Sequence, residues 1–396
     1  MPRRGRWGVI VAYALVAAAT QMLWLTYAAI TTDTARRYGV SESTVGWLSE
    51  IFPLIYVVLA IPAGMLLDRW FRPLLAGGAL LVAAGGLIRL GGLRFGWAMA
   101  GQVAVALAQP VVLSAVGKLA AEYVSPPQRP TAIAIGSAGS FVGMLAALLL
   151  GPTVGGSGHL ERLLAVEAGL AVAAALVLAG LLRAPSPAAG TAGGGPVVGS
   201  LATVRALWAL PRMRTLCGLV FLGFGVFVAL ATWLQTLLHP DGVSDTTAGA
   251  LLVAMILAGV VGCGVLPPRV ARLGAERPYL SAAVAASALG CAALGVLPWI
   301  GLRAGALVVM GLVLLPALPI VLAAAEELAG SAAGAAGAIV WMAGNLGGLV
   351  VAGIVQALVH HQLAAFLAMA AVSLLGAPLA ARAGAAAAPA RAAPAR

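Results

Sequence analysis

Gln21 and Trp24 stand three residues apart in the stretch 20–31, TQMLWLTYAAIT, inside a long apolar run. At helical spacing Gln21, Trp24, Ala28 and Thr31 share one face, while Val16, Ala18, Leu23 and Ile30 keep the rest apolar. An amide and an indole gain nothing against lipid tails at mid-depth. They either tie helices together or line a water-filled cavity and hold a solute there. Gln109, Phe227 and Asn345 fall at the same depth of other apolar runs, and Tyr27 and Trp341 lie a turn away from Trp24 and Asn345. Pro110 follows Gln109; its missing amide hydrogen is expected to free the carbonyl of Ala106. Such a broken turn is tolerated at depth where it faces protein or a cavity. Pro316 and Pro319 are expected to disturb a second helix in the same way.

The elements that must carry these residues follow from composition. Hydrophobic residues make up 62% of the 396 and charged residues 9%, against about 25% charged in soluble domains. The chain reads as an all-α membrane protein embedded in the lipid bilayer. Splitting at charges and Pro/Gly punctuation gives twelve spans. Six lie in 8–32, 44–66, 73–93, 97–123, 130–152 and 160–183. Six more lie in 213–238, 246–267, 278–299, 303–328, 333–358 and 362–383. The expected organisation is a six-helix bundle at 1–183, a flexible cytoplasmic linker at 184–212, a second bundle at 213–383 and a disordered tail at 384–396. No cleavable signal peptide is expected after Arg3, Arg4 and Arg6.

Charge sets the orientation. With the N terminus inside, arginines such as Arg69, Arg72, Arg129, Arg212, Arg269, Arg277 and Arg382 fall in cytoplasmic loops. The inside bias is roughly threefold, which places both termini in the cytoplasm of a cell-membrane protein. The net charge of +11 is scattered over short loops, so it reads as membrane orientation and not as a nucleic-acid surface. Cys217, Cys263 and Cys291 lie inside spans and read as packing residues. His360 and His361 read as a solvated loop. No phosphate loop, metal-spaced cluster or nucleophile–base set is present, so neither an enzyme nor a cofactor is expected.

The two halves repeat at an offset of 205 residues. Pro62 matches Pro267, Arg72-Pro73 matches Arg277-Pro278, and Glu122 matches Glu327. Ala138-Gly139 with Gly143 matches Ala343-Gly344 with Gly348. Even numbers of spans per half make this a parallel repeat, the architecture of the major facilitator superfamily, with substrate near the midplane between halves. The run Gly64-Met-Leu-Leu-Asp68-Arg69-Trp-Phe-Arg72-Pro73 resembles that superfamily's cytoplasmic signature. The resemblance implies that Asp68 sits against the N-terminal dipole of a helix from the other half and latches the outward-open state. Arg69, Arg72, Glu122, Glu326 and Glu327 are the accompanying gate candidates. The second copy has Leu273 where an aspartate would stand, so the latch is expected to be one-sided. Gly151-Pro152-Thr-Val-Gly155-Gly156 reads as a helix terminator.

No titratable group is central on the first, fourth, seventh or tenth span. Facilitated transport of a small molecule is therefore the leading expectation, and proton-coupled export of drugs or metabolites the alternative. Glu50 and Glu167 are the coupling candidates, with Glu50 placed to pair with Arg89. A non-transporting receptor fits short outer loops poorly.

A closer resemblance is carried by Trp24-Leu-Thr-Tyr27, Tyr38-Gly-Val-Ser41, Trp47-Leu-Ser49, Leu66-Leu-Asp68, Gly101-Gln102 and Ala108-Gln109. It continues, more weakly, through Gly225–Ala229 and Trp341–Gly348. These stretches are similar to the feline leukaemia virus subgroup C receptor family, described as choline and ethanolamine transporters and as haem exporters. The resemblance implies an aromatic and polar cage for a quaternary ammonium, with Trp24 and Gln109 at the matching positions; a permanent cation surrounded by aromatic faces needs no counter-charge. Val228 stands where that family has an aromatic, beside Phe227, and Asn345 where it has a glutamine. The chain is expected to act as a monomer.

Overall fold

The computed structural model describes residues 6–92, 94–155, 158–184 and 200–383. Its regular structure is helical throughout the described residues. Among the described residues, eleven stretches are long and apolar enough to cross a membrane. The longest, Ile300–Ala357, doubles back at Gly330, whose φ of +55° suits a residue without a Cβ. It therefore holds two spans, which makes twelve.

In chain order these are α1 (Trp7–Leu25), α2 (Glu42–Arg69), α3 (Phe71–Ile88), α4 (Phe95–Ser114, continued by Val116–Tyr123), α5 (Arg129–Leu150) and α6 (Leu160–Leu182). The second six are α7 (Pro211–Leu238), α8 (Asp245–Leu273), α9 (Glu276–Val296), α10 (Ile300–Leu314 with Ala317–Ala329), α11 (Ala333–Ala357) and α12 (Gln362–Leu374 with Ala377–Ala383). The break in α10 falls at Leu315-Pro316, as its prolines imply. Pro110, in contrast, leaves α4 helical, and the interruption comes at Ala115.

Packing follows the repeat. α1 lies on α5 as α7 lies on α11; α2 lies on α4 as α8 lies on α10; α3 lies on α6 as α9 lies on α12. The halves meet through α2 against α11 and α5 against α8, which are themselves an exchanged pair. Pro62 and Pro267 fall inside α2 and α8, and Gly139 and Gly344 inside α5 and α11.

The small residues permit the closest of these approaches. A Cβ on Gly143 would collide with the carbonyl of Ala18, and one on Gly347 with that of Phe221. Gly143→Leu and Gly347→Leu are each expected to cost at least the roughly 1–3 kcal/mol typical of overpacking. A clear drop in thermal midpoint should follow, whereas Gly169→Leu, facing open space, should leave it unchanged.

Three sequence expectations need correction. α1 ends at Leu25, and Ala28–Ile30 forms a tight turn before the short helix Thr31–Tyr38. Ala28 and Thr31 therefore do not share the face of Gln21 and Trp24. Within the segment expected to be a flexible linker, Leu201–Ala209 is a helix that buries Val204 and Leu207 and is capped by Ser200, which accepts from the Thr203 amide. Residues 185–199, the tail from 384, Gly156, Arg3 and Arg4 lie outside the described residues. Thirdly, Glu50 is exposed and Arg89 pairs elsewhere, as described below.

Candidate functional site

α1 and α2 bring Trp24 beside Phe52, ring centroids 6.3 Å apart, and the Trp24 Nε1 donates to the Ser49 carbonyl at 3.0 Å. Phe52 and Tyr56 are one turn apart on α2, so both face the same way. Tyr56 reaches Trp341 of the other half at 6.4 Å. Trp341 meets Phe224 edge-on at 5.7 Å, Phe224 meets Phe227 at 5.6 Å, and Phe227 returns to the first half at Phe141, 6.0 Å away. Five ring contacts, joined by the one-turn step from Phe52 to Tyr56 on α2, thus link seven aromatic rings from α1 across the contact between halves. Beside them Gln109 Nε2 donates to Gln21 Oε1 at 3.3 Å, both side chains buried, and Asn345 Nδ2 donates to the Trp341 carbonyl at 2.9 Å. Trp341 Nε1 is buried without a partner among the described residues. Among the described residues the hydrogen-bond partners of Trp24, Gln21, Gln109 and Asn345 are neutral, so the cluster offers aromatic faces and amide dipoles.

An apolar cavity of about 50 Å³ opens behind Phe141, Phe224 and Phe227, between α7, α9, α10 and α12. Val228 does not join the ring chain; it packs on Gly348 of α11. Phe227, one residue earlier, supplies the aromatic from α7 together with Phe224.

Tyr27 does not reach this cluster. It is fully buried inside the first half with its ring 5.5 Å from the Arg89 guanidinium. Arg89 Nη2 donates to Glu167 Oε2 at 2.8 Å, and both side chains are completely buried. Thr26 Oγ1 donates to the same carboxylate oxygen at 2.7 Å and lies 3.1 Å from Arg89 Nη1.

At the arginine-rich end Asp68 closes α2 against α11. Its Oδ1 accepts from the Gly334 amide at 2.8 Å and its Oδ2 from the Ala335 amide at 3.0 Å. These are the first turn of α11, where free N–H groups and the helix dipole favour an anion. Lys118 Nζ donates to the Asp68 carbonyl at 2.7 Å. Alongside, Arg129 of α5 pairs with Glu326 of α10 at 3.2 Å, so Glu326 and not the exposed Glu327 makes the cross-half bond. Arg72 stays within its own half, capping the carbonyls of Leu182, Arg183 and Ala184 at the end of α6. Arg69 stacks on Trp70 at 4.8 Å, and Glu122 is half-buried at the end of α4.

Sequence reasoning missed Phe52, Tyr56, Phe141 and Phe224 as contributors. The i,i+4 pair Phe52/Tyr56 and the i,i+3 pair Phe224/Phe227 were the available signals.

A family model described as Major Facilitator Superfamily matches residues 9–352. The zebrafish (Danio rerio) solute carrier family 49 member A3 is 31% identical over 306 residues, 74% of this chain and 65% of that protein. The zebrafish choline/ethanolamine transporter flvcr2b is 25% identical over 284 residues, 66% of this chain and 58% of that protein. Human choline/ethanolamine transporter FLVCR2 is 26% identical over 155 residues, 38% of this chain and 30% of that protein. The matched stretch spans about two thirds or less of these relatives. Among solved structures, the transporter FucP in its outward conformation gives a TM-score of 0.76 at 14% identity, covering 94% of this chain and 98% of that one. Human organic anion transporter MFSD10 gives 0.72 at 19%, covering 96% and 99%. Both are likenesses of fold.

Proposed function

The chain belongs to the major facilitator superfamily and is a multi-pass secondary transporter related to the solute carrier 49 proteins, and on that premise we propose that it carries a small organic cation, a quaternary ammonium or amine such as choline, by facilitated diffusion. The observation that carries this reading is the series of seven aromatic rings leading across the contact between halves, joined by Gln21, Gln109 and Asn345 and, among the described residues, without a charged hydrogen-bond partner. Aromatic faces stabilise a desolvated cation by about 2 kcal/mol or more each. The choline/ethanolamine transport of the FLVCR2 relatives is consistent with the same chemistry.

Alternating access would rock 1–183 against 213–383 about this cluster, within a monomer. The bonds of Asp68 and of Arg129 to the second half support a state closed at the arginine-rich end. The arginine bias supports calling that end cytoplasmic, in the cell membrane. Purified protein in liposomes should take up labelled choline faster than empty vesicles, and equal rates would overturn the choline reading.

The buried Glu167 favours one second reading, coupling to protons. Under facilitated diffusion an imposed pH gradient leaves choline uptake unchanged. A severalfold response that disappears in Glu167→Gln would establish coupling instead.

A further inference from the structure

The last carbonyls of a helix have no intrahelical donors, and its C-terminal end carries partial negative charge. α1 ends at Leu25, inside the bundle, one residue beyond Trp24. Its loose carbonyls must be satisfied from elsewhere. Leu23 C=O receives Arg89 Nη1 at 3.4 Å and Gln102 Nε2 at 3.2 Å, while the single Thr26 hydroxyl proton goes to Glu167. Gln102 Nε2 also reaches the Leu48 carbonyl of α2 at 3.0 Å. Arg89 follows α3, Gln102 belongs to α4 and Glu167 to α6, so one polar node ties α2, α3, α4 and α6 of the first half to the end of α1.

Stability alone does not account for this node. A buried ion pair often contributes no more than apolar residues of the same volume. This one is also imperfectly satisfied: Glu167 Oε1, Arg89 Nε and Gln102 Oε1 are buried with no partner among the described residues. What the pair supplies is geometry. Arg89 presents a positive fork to the negative end of α1, and Glu167 holds that fork while neutralising its charge. Close packing fixes it further, since a Cβ on Gly101 would collide with Arg89 Cγ.

We propose that Arg89, Glu167 and Gln102 are positioning residues that hold the end of α1 and so aim Trp24 across the contact between halves. The inference rests on the reading of Trp24 as a ligand contact, but its structural part does not need choline. Trp24 lies within the last turn that the node grips, and its second tether, Nε1 to Ser49, is on the α2 segment whose Leu48 carbonyl Gln102 also holds. Loss of the node should free both tethers together.

The test is the double variant Arg89→Met/Glu167→Leu, which removes both charges and strands neither. Full-length protein carrying 5-fluorotryptophan is reconstituted in nanodiscs, with the Trp24 fluorine resonance assigned by Trp24→Phe. The expected result is a thermal midpoint equal to wild type or higher, a shifted or split Trp24 resonance without any ligand, and a choline KM raised at least tenfold. An unchanged Trp24 resonance would overturn the proposal, whatever the transport rates. If the double variant does not fold, Gln102→Met applies the same readouts to one tether, with a resonance change supporting the proposal and its absence overturning it. A wild type that fails to transport choline removes the KM arm and leaves the resonance to decide.

Discussion

Asp68→Asn is expected to lower choline uptake at least tenfold and to populate a state open at the arginine-rich end. The carboxylate spans two adjacent amides at the start of α11, at 2.8 and 3.0 Å, and its side chain is fully buried. Asparagine has the same shape but one acceptor oxygen, so its amino group would face a backbone N–H. The change removes one charge-assisted bond, about 1.5–3 kcal/mol, together with the attraction of an anion to the helix dipole. A loss of that size moves a two-state equilibrium by roughly 10- to 150-fold. Arg129→Ala should do less, because Arg129 is about one third exposed and exposed pairs contribute about 0–1 kcal/mol. Gly334→Ala reaches the same latch without touching a charge, since its Cβ would lie 2.7 Å from Asp68 Oδ1. Spin labels at Gln128 and Ser331, one on each half, report the opening as a distance. The three native cysteines are buried and do not compete for label. A distance distribution unchanged in both Asp68→Asn and Gly334→Ala would show that the contact is not a latch.

How much of this was legible before the structure depends on which coordinate is asked for. Position along the chain's spans was readable, because apolar runs and arginines mark them; the twelve spans came from that alone. The repeat gave the correspondence of helices between the halves, because Pro62/Pro267 and Arg72/Arg277 fix the register. Azimuth was readable only while a helix stays regular. Gln21 and Trp24 were placed on one face, but extrapolating through Thr26 failed, since α1 stops at Leu25 and Tyr27 turns into the first half. Partner choice was not readable at all for Arg89. Glu50 and Glu167 both lie toward the outer side of their helices, and only three-dimensional packing shows that α6, not α2, presents the carboxylate to it. Glu326 and Glu327 are adjacent, so depth cannot separate them; the face of α10 that meets α5 selects Glu326.

Trp24→Ala should raise the choline KM by roughly 30-fold, the equivalent of about 2 kcal/mol of cation–π attraction in a desolvated site. Trp24→Phe separates the two things the indole does. Phenylalanine keeps an aromatic face toward Phe52, now 6.3 Å away, but cannot donate to the Ser49 carbonyl. A lost neutral hydrogen bond is worth about 1 kcal/mol, so the Phe variant should lose only severalfold. The expected order is therefore wild type, then Phe, then Ala. Competition decides what the face recognises. Tetramethylammonium should inhibit choline uptake, while 3,3-dimethyl-1-butanol, a neutral molecule of nearly the same shape as choline, should not. Equal inhibition by the neutral alcohol would mean that the cluster selects for apolar volume and not for charge. Because Phe224 and Phe227 also wall the neighbouring apolar cavity, that outcome would move the substrate class from a small cation to an uncharged solute. The same rings and the same latch would then serve a different cargo. If Ala and Phe variants instead share the wild-type KM, Trp24 is a packing residue of α1 and the cation site lies elsewhere along the ring chain, with Trp341 and its unpaired Nε1 the next position to truncate.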